Sequence, residues 1–215
     1  MTDGPSIPPP PPSAGNSSLV TRAINILTKP ASEWAAIAAE PASNGKLIGG
    51  YAAILAVLAP VFALLYSLLM AGGLVFQLPM LLIMTLVLTY VLALGVPVAV
   101  GFIMDALTPQ LGGVKAGNNA MKLVIYSGTG YWVGAIGLIL SPWLWLVLGL
   151  GLAGYLAWIG TPILMKTPAD KTPVFVGATI GIWLVVWAIL NVVFTNILTN
   201  MAINAMFSAA RGYGM

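Results

Sequence analysis

The sequence predicts an all-α fold, a polytopic bundle of five transmembrane helices. Hydrophobic residues make up 60% of the 215-residue chain and charged residues only 6%, a composition that a soluble domain could not bury. Five apolar segments are each about as long as the ~20 residues that a helix needs to cross a bilayer. Basic residues alternate from loop to loop, as a membrane topology requires. These three observations predict a helical membrane protein.

Two segments precede the first predicted span. Residues 1–16 contain the proline run at 8–12, which favours a disordered, solvated tail or, alternatively, a polyproline ligand for the aromatic groove of a partner. Residues 17–45 place apolar side chains at helical spacing, with breaks at Pro30 and Pro41, and so predict two short amphipathic helices. Because they are too short to span, we expect them at the membrane interface or, equally, packed on the cytoplasmic face of the bundle.

Five spans are predicted within residues 46–200. The first two contain Pro60 and Pro97, each expected to kink its helix and to free carbonyl groups inside the membrane. Proline directly follows Ser141 and Thr172, a pattern typical of the N-cap and first turn of the fourth and fifth helices. The predicted spans are about 47–70, 78–104, 123–140, 143–165 and 174–198, followed by an outer tail at 201–215.

Lysine and arginine predict the orientation, since these residues are retained on the cytoplasmic side. The N-terminal flank, the central loop and the loop between the fourth and fifth spans are basic, whereas the two remaining loops carry no basic residue. We therefore expect a cytoplasmic N-terminus and an outer C-terminus, with Arg211 as the one exception. The inner basic residues are Arg22, Lys29, Lys46, Lys115, Lys122, Lys166 and Lys171.

The chain contains neither cysteine nor histidine, which narrows the possible chemistry. Disulfides and thiolate metal sites are excluded, and intramembrane serine or zinc proteases would need histidine. The predicted spans lack the two aspartates of an aspartyl protease, and the segment G-G-V-K-A-G lacks the strand-to-helix context of a phosphate loop. We expect no enzyme, no catalytic residue, no cofactor, no metal site and no nucleic-acid partner.

Charged residues at the cytoplasmic ends of the spans are the first group of candidate site residues. Asp105 and Lys122 flank the central loop and lie close enough in the predicted topology to form an ion pair, a gate or a headgroup-binding pair. The aromatic ring of Trp34 suits the headgroup region. The candidate contacts of the cytoplasmic face are Arg22, Lys29, Trp34, Asp105, Lys115, Lys122, Lys166 and Lys171.

Neutral polar residues inside the predicted spans form the second group of candidates. Tyr126 and Thr129 lie on the third span, and Asn191 and Asn196 on the fifth. Polar groups in an apolar environment need partners, so we expect hydrogen bonds between helices or a polar path for a small solute or headgroup.

Two pairs of glycines are spaced four residues apart in the spans. They are Gly130 with Gly134, and Gly177 with Gly181. This spacing puts both glycines on one helix face and predicts close helix approach, either within the bundle or in an oligomer.

Three stretches carry a resemblance to a known family. They read L-T-K-P-A-S-E-W-A-A-I-A-A-E-P, L-G-G-V-K-A-G-N-N-A-M-K-L-V-I-Y-S-G-T and L-A-W-I-G-T-P-I-L-M-K-T-P-A-D-K. In this order around five spans, from about Ile24 to Leu198, they resemble the bacterial branch of the Yip (Ypt/Rab-GTPase-interacting) family. Positions that match the shared pattern are Pro30, Trp34, Gly112, Gly113, Lys122, Tyr126, Gly160, Lys166, Pro168 and Lys171.

The resemblance implies a compact five-helix domain in a bacterial cytoplasmic (inner) membrane, with no catalytic residues. Eukaryotic relatives are associated with Rab GTPases, a role that bacteria cannot share. We therefore expect a non-enzymatic membrane scaffold or adaptor that binds a protein partner or anionic lipid at its cytoplasmic face. The alternative is a small transporter or lipid-handling, scramblase-like protein. Membrane lipid is an expected partner, and oligomers are possible.

Overall fold

The computed structural model describes residues 18–77 and 79–212, and all regular structure within them is helical. The predicted tail at 1–16 lies outside the described residues, as do residues 17, 78 and 213–215. The α-helices are α1 (Leu19–Thr28), α2 (Pro30–Ala39), α3 (Asn44–Leu47), α4 (Ala53–Leu55), α5 (Leu58–Ala71), α6 (Pro79–Leu107), α7 (Asn119–Gly134), α8 (Pro142–Met165) and α9 (Thr172–Gly212). A π-helical turn covers Ile48–Ala52, and 3-10 turns cover Gly72–Gln77 and Ala135–Ile139.

The two N-terminal helices form as the sequence predicts. Ser18 caps α1 by accepting the Thr21 N–H at 3.2 Å, and Pro30 is the first residue of α2, where its missing N–H costs no hydrogen bond. Both helices pack on the bundle, since Ile26 of α1 and Trp34 of α2 are fully buried. The outer face of α1 stays open. Of the two expected locations, the structure shows packing on one end of the bundle; that this end is cytoplasmic stays a prediction.

The prolines of the first two spans act as predicted on their carbonyl partners. In a regular helix the N–H of residue 60 would donate to the Ala56 carbonyl, but Pro60 has no N–H. The Ala56 carbonyl instead accepts the Ala59 N–H at 3.3 Å, between α4 and α5. α6 continues through Pro97 without interruption. The carbonyl that Pro97 cannot bond belongs to Ala93, and it accepts the indole N–H of Trp132 from α7 at 2.8 Å. A neighbouring helix thus satisfies the carbonyl that the proline frees.

α7 is the central helix of the bundle. Every residue from 120 to 132 is buried, although the proportion of hydroxyl and glycine residues is higher in this stretch than in the surrounding spans. Its principal neighbours are α6 and α8, and α1 also contacts it. The predicted third span is this 16-residue helix followed by the 3-10 turn Ala135–Ile139. The core therefore lies along α7, with the longer apolar helices outside it.

The first glycine pair provides the close approach that its spacing predicts. A Cβ atom at Gly130 would lie 2.6 Å from the backbone nitrogen of Ala153, and one at Gly134 would lie 2.5 Å from the Cα of Gly149. Both contacts are with the backbone of α8, which has no room to move. The second pair, Gly177 and Gly181, is exposed on α9, and an added Cβ would meet nothing within 4 Å.

The all-helical membrane bundle predicted from the sequence is confirmed. Four helical stretches within the described residues are long and apolar enough to cross a membrane: Asn44–Ala71, Pro79–Leu107, Pro142–Met165 and Thr172–Asn204. That α7 also crosses, and that the N-terminus is cytoplasmic, stay predictions.

α9 is longer than the predicted fifth span. It runs from Thr172 to Gly212 over 41 residues, about 60 Å at 1.5 Å per residue, and so extends past the predicted end at 198. The expected outer tail is therefore helical as far as Gly212. The reason is local, because neither glycine nor proline occurs between Gly181 and Gly212 to end the helix.

A matched pair of substitutions tests the packing of α7 on α8. We expect Gly134→Ala to lower the free energy of unfolding by about 1–3 kcal/mol, because the new methyl group collides with the Gly149 backbone. Gly181→Ala adds the same methyl group in open space and should leave stability unchanged or raise it by up to about 1 kcal/mol through helix propensity. The measurement is thermal unfolding in detergent, and equal shifts for the two variants would contradict this packing.

Candidate functional site

A buried ion cluster fastens the N-terminal helices to each other. Arg22 of α1 is only 7% exposed, and its Nη2 donates to both carboxylate oxygens of Glu40, at 2.6 and 2.8 Å. Its Nη1 lies 3.3 Å from Oε1 of Glu33 on α2. A buried charge is costly unless it is paired and hydrogen-bonded, so the position of Arg22 requires both carboxylates. The cluster thereby dictates how α2 folds back on α1.

The pKa of Arg22 reflects this environment. Burial by itself lowers the pKa of the guanidinium, but the hydrogen bond to Glu40 and the surrounding charges outweigh that effect. The net result is a pKa raised above the ordinary value for arginine. The side chain therefore stays charged at any physiological pH, and its ion pairs do not depend on its own protonation state.

Lys122 of α7 is the fourth charged residue of the cluster and contacts the C-terminal end of α2. Its Nζ donates to the carbonyl oxygen of Ile37 at 3.1 Å and to that of Glu40 at 2.5 Å, and the residue is 4% exposed. These carbonyls end α2, where the negative end of the helix dipole attracts a cation. With Arg22, Glu33 and Glu40, the formal charges of the cluster balance.

The ion pair considered for Asp105 and Lys122 does not form. Lys122 faces α2 from the first turn of α7. Asp105 lies in the last turn of α6, at the same end of the bundle, but pairs with a different lysine. Oδ2 of Asp105 instead contacts Nζ of Lys115 at 2.7 Å, in a pair that is partly open to solvent. The lysine of the central loop is the nearer partner because the loop folds back over the end of α6.

An aromatic group continues the cluster into the bundle. The guanidinium carbon of Arg22 lies 5.7 Å from the ring centre of Tyr126, a cation–π distance. Tyr126 packs edge-on against Tyr51 at 4.8 Å and against Trp34 at 6.4 Å. The hydroxyl of Tyr51 shares a hydrogen bond of 2.7 Å with Thr129. Both candidate residues on the third span are therefore packed or hydrogen-bonded within the core.

Trp34 inserts its ring against α8. It is fully buried, and a Cβ atom at Gly160 would lie only 2.5 Å from its Cε2 atom. Glycine is thus the residue that leaves room for this ring. Arg22, Trp34 and Lys122, predicted as contacts of the cytoplasmic face, hold the end of the bundle together from inside instead. The physical reason is that each has a partner on another helix that excludes it from the surface.

The remaining basic candidates are exposed. Lys29 lies between α1 and α2, while Lys166 and Lys171 lie between α8 and α9. We call these three residues the basic face. Lys166 ends α8 in the left-handed conformation, with φ of 51°, and the side-chain stem of Lys171 packs over Gly112, whose φ is 78°. A Cβ at Gly112 would lie 3.1 Å from that stem, so the central loop and the loop between α8 and α9 are in direct contact.

The two asparagine candidates on α9 do not join Tyr126 and Thr129. Asn191 borders a cleft of about 290 Å³ formed with Trp143, Trp145 and Trp187. Asn196 is exposed, and its Nδ2 donates to the Val192 carbonyl of its own helix at 2.8 Å. The intramembrane polar candidates therefore do not line one path through the bundle.

The sequence reasoning missed three members of the cluster: Glu33, Glu40 and Tyr51. A signal for the carboxylates exists, since Glu33 and Glu40 are seven residues apart and so share a helix face with Trp34 and Ile37. Tyr51 carries no such signal, because its partner Thr129 is distant in the chain.

The geometry and the comparisons together define the protein. A helical bundle with four apolar helices long enough to span and a charged, hydrogen-bonded end is an integral membrane protein. The family model for the Yip1 domain matches residues 24–191, and the chain belongs to the Yip family. This range begins within α1, just after Arg22, includes all of α2 and ends within α9. Comparisons with curated proteins and with solved structures each gave no match.

Substitution of Arg22 tests whether the buried cluster holds the N-terminal helices. We expect Arg22→Met to lower the free energy of unfolding by about 3–5 kcal/mol, because the buried Glu33 and the half-buried Glu40 lose their cation. The matched control is Lys115→Met, which breaks the exposed pair with Asp105 and should cost no more than about 1 kcal/mol.

Two measurements read out the Arg22 variant in detergent micelles. Thermal unfolding gives the stability difference, and limited digestion with a glutamate-specific protease should cut after the buried Glu33 faster once α1 and α2 are released. A variant as stable and as resistant to this protease as the Lys115 control would show that the cluster does not hold these helices.

Proposed function

We propose that this Yip family protein is a non-enzymatic membrane scaffold that docks an acidic segment of a protein partner on its basic face. The observation that supports it most directly is the buried ion cluster. It joins α1 and α2 to each other and to α7, and so fixes the position of Lys29 between them. The loop that carries Lys166 and Lys171 is held by its own contacts.

Preorganisation favours a protein partner over a diffuse attraction to lipid. Anionic lipids attract any cluster of basic residues near the bilayer and need no fixed geometry. Protein recognition gains affinity when the binding surface is already ordered, because less entropy is lost on binding. The contact between the loops at Gly112 and Lys171 orders the surface further.

The charge of this end also favours an acidic partner. The charges of Glu33 and Glu40 are balanced within the cluster by Arg22 and Lys122, and Asp105 contacts Lys115. In the loop between α8 and α9, two exposed lysines, Lys166 and Lys171, outnumber the single carboxylate of Asp170. The surface left to a partner is therefore positive.

Other parts of the proposal rest on the sequence. The absence of histidine and cysteine supports a non-enzymatic role. The cytoplasmic orientation of the basic face follows from the distribution of lysine and arginine. The bacterial cytoplasmic (inner) membrane follows from the resemblance of the three sequence stretches to the bacterial branch of the family.

Site-specific photocrosslinking in intact membranes tests the proposal. A crosslinking residue at Ala169, between the two lysines of the α8–α9 loop, is expected to capture a protein partner, while the same residue at Val185, on the exposed side of α9, should not capture it. We expect the triple variant Lys29→Glu, Lys166→Glu, Lys171→Glu to lower capture about tenfold or more, since each reversed charge repels an acidic partner. The triple arginine variant keeps the charge and is the matched control.

The outcomes separate the alternatives. Lys122 is left unchanged in all variants because it is buried and structural. Equal capture by the glutamate and arginine variants would overturn docking on the basic face. If no protein is captured and the glutamate variant loses only its binding to anionic liposomes, the face binds lipid and the protein-docking proposal fails.

A further inference from the structure

A small cleft opens beside the cytoplasmic end of the second span, apart from the basic face. It has a volume of about 70 Å³ and is bordered by Asn44, Phe102, Asp105, Asn118 and Met121. Asn44 begins α3, Phe102 and Asp105 belong to the last two turns of α6, and the other two residues begin or precede α7. The cleft thus lies where three chain segments meet at the level of the lipid headgroups.

Asp105 borders this cleft, and its ion-pair partner Lys115 lies beside it, outside the lining residues. Oδ2 of Asp105 lies 2.7 Å from Nζ of Lys115, yet the two side chains remain 34% and 52% exposed. Each charged group therefore keeps the capacity for further hydrogen bonds, because a carboxylate accepts several and an ammonium donates three. A negative and a positive group side by side complement a molecule that carries both charges.

The apolar side of the cleft continues onto the membrane-facing surface. Phe102 is 55% exposed and lies one helical turn before Asp105, so its ring is on the bilayer side of the carboxylate. Val91 and Val87, further along α6, are also exposed. An amphiphile whose tails follow this surface would bring its polar head to Asp105 and Lys115.

The polar border of the cleft is held in place. Nδ2 of Asn118 donates to the Ala42 carbonyl at 2.7 Å and to Oδ1 of Asn44 at 3.1 Å. Gly117, with φ of 54°, makes the turn that precedes α7. A site whose walls are fixed before binding loses little entropy when it is filled.

We propose that this cleft binds the headgroup of a zwitterionic phospholipid, phosphatidylethanolamine, with its ammonium on Asp105 and its phosphate on Lys115. The ammonium supplies N–H donors to the carboxylate. The three methyl groups of a choline headgroup would remove those donors and add bulk to a cleft of about 70 Å³. A headgroup with no cation would leave Asp105 without its added partner. The inference does not depend on the basic face or on a protein partner.

Lipid retention by the full-length chain tests the site. The protein is reconstituted in nanodiscs of phosphatidylethanolamine, phosphatidylcholine and phosphatidylglycerol in equal amounts with identical acyl chains, and native mass spectrometry identifies the lipids that stay bound. We expect phosphatidylethanolamine to be retained about tenfold over phosphatidylcholine, the factor that one charge-assisted hydrogen bond supplies. Asp105→Asn should abolish the preference, whereas Lys115→Gln should lower the retention of both lipids, because both carry the phosphate.

Matched controls come from the other exposed charges at the same end. Asp170→Asn and Lys166→Gln remove a carboxylate and an ammonium that do not border the cleft, and both should keep the preference. Thermal unfolding without added lipid should be equal in all four variants, which separates a lost site from a misfolded protein.

Three results would overturn the proposal. The first is equal retention of the ethanolamine and choline lipids by the unchanged protein. The second is a preference that survives Asp105→Asn. The third is enrichment of phosphatidylglycerol, which would make the lysine alone the binding group and the cleft a site for anionic lipid.

Discussion

The burial of Arg22 is the constraint on which the charged end of this protein depends. A guanidinium in an environment of low dielectric must have compensating charge, and the nearest carboxylates are Glu33 and Glu40 on the following helix. To supply both, α2 has to turn back across α1. Its last carbonyls then come to lie over Lys122, whose ammonium satisfies them. One buried charge thus determines the path of residues 18–40, which lead to the membrane domain.

Close packing of small residues carries the same order into the bundle. Helices in a bilayer gain no hydrophobic driving force from contacting each other, so packing and hydrogen bonds must hold them together. Gly160 admits the ring of Trp34, and Gly130 and Gly134 bring the backbones of α7 and α8 together. The hydroxyl of Thr129 can be buried because Tyr51 comes close enough to share a hydrogen bond with it.

The distribution of charge divides the two ends of the molecule. Apart from Arg211, the charged residues of the described chain lie at the end formed by α1, α2 and the two basic loops. Arg22, Glu33, Glu40 and Lys122 hold helices together, whereas the lysines of the basic face are exposed to solvent. The inward carboxylates leave the basic face positive, while Asp105 and Lys115 present both signs beside an apolar surface. Recognition of other molecules is therefore expected at this end.

The sequence by itself determined the all-helical class, the approximate positions of the apolar segments, the break at Pro30 and the close approach at Gly130. These depend on local composition and spacing, which act within a few helical turns. It could not assign Lys122 to the end of α2 or Asp105 to Lys115, and it placed Trp34 among surface contacts. Only the tertiary structure decided which charges are buried, because that depends on partners far apart in the chain, and periodicity carries no information about them.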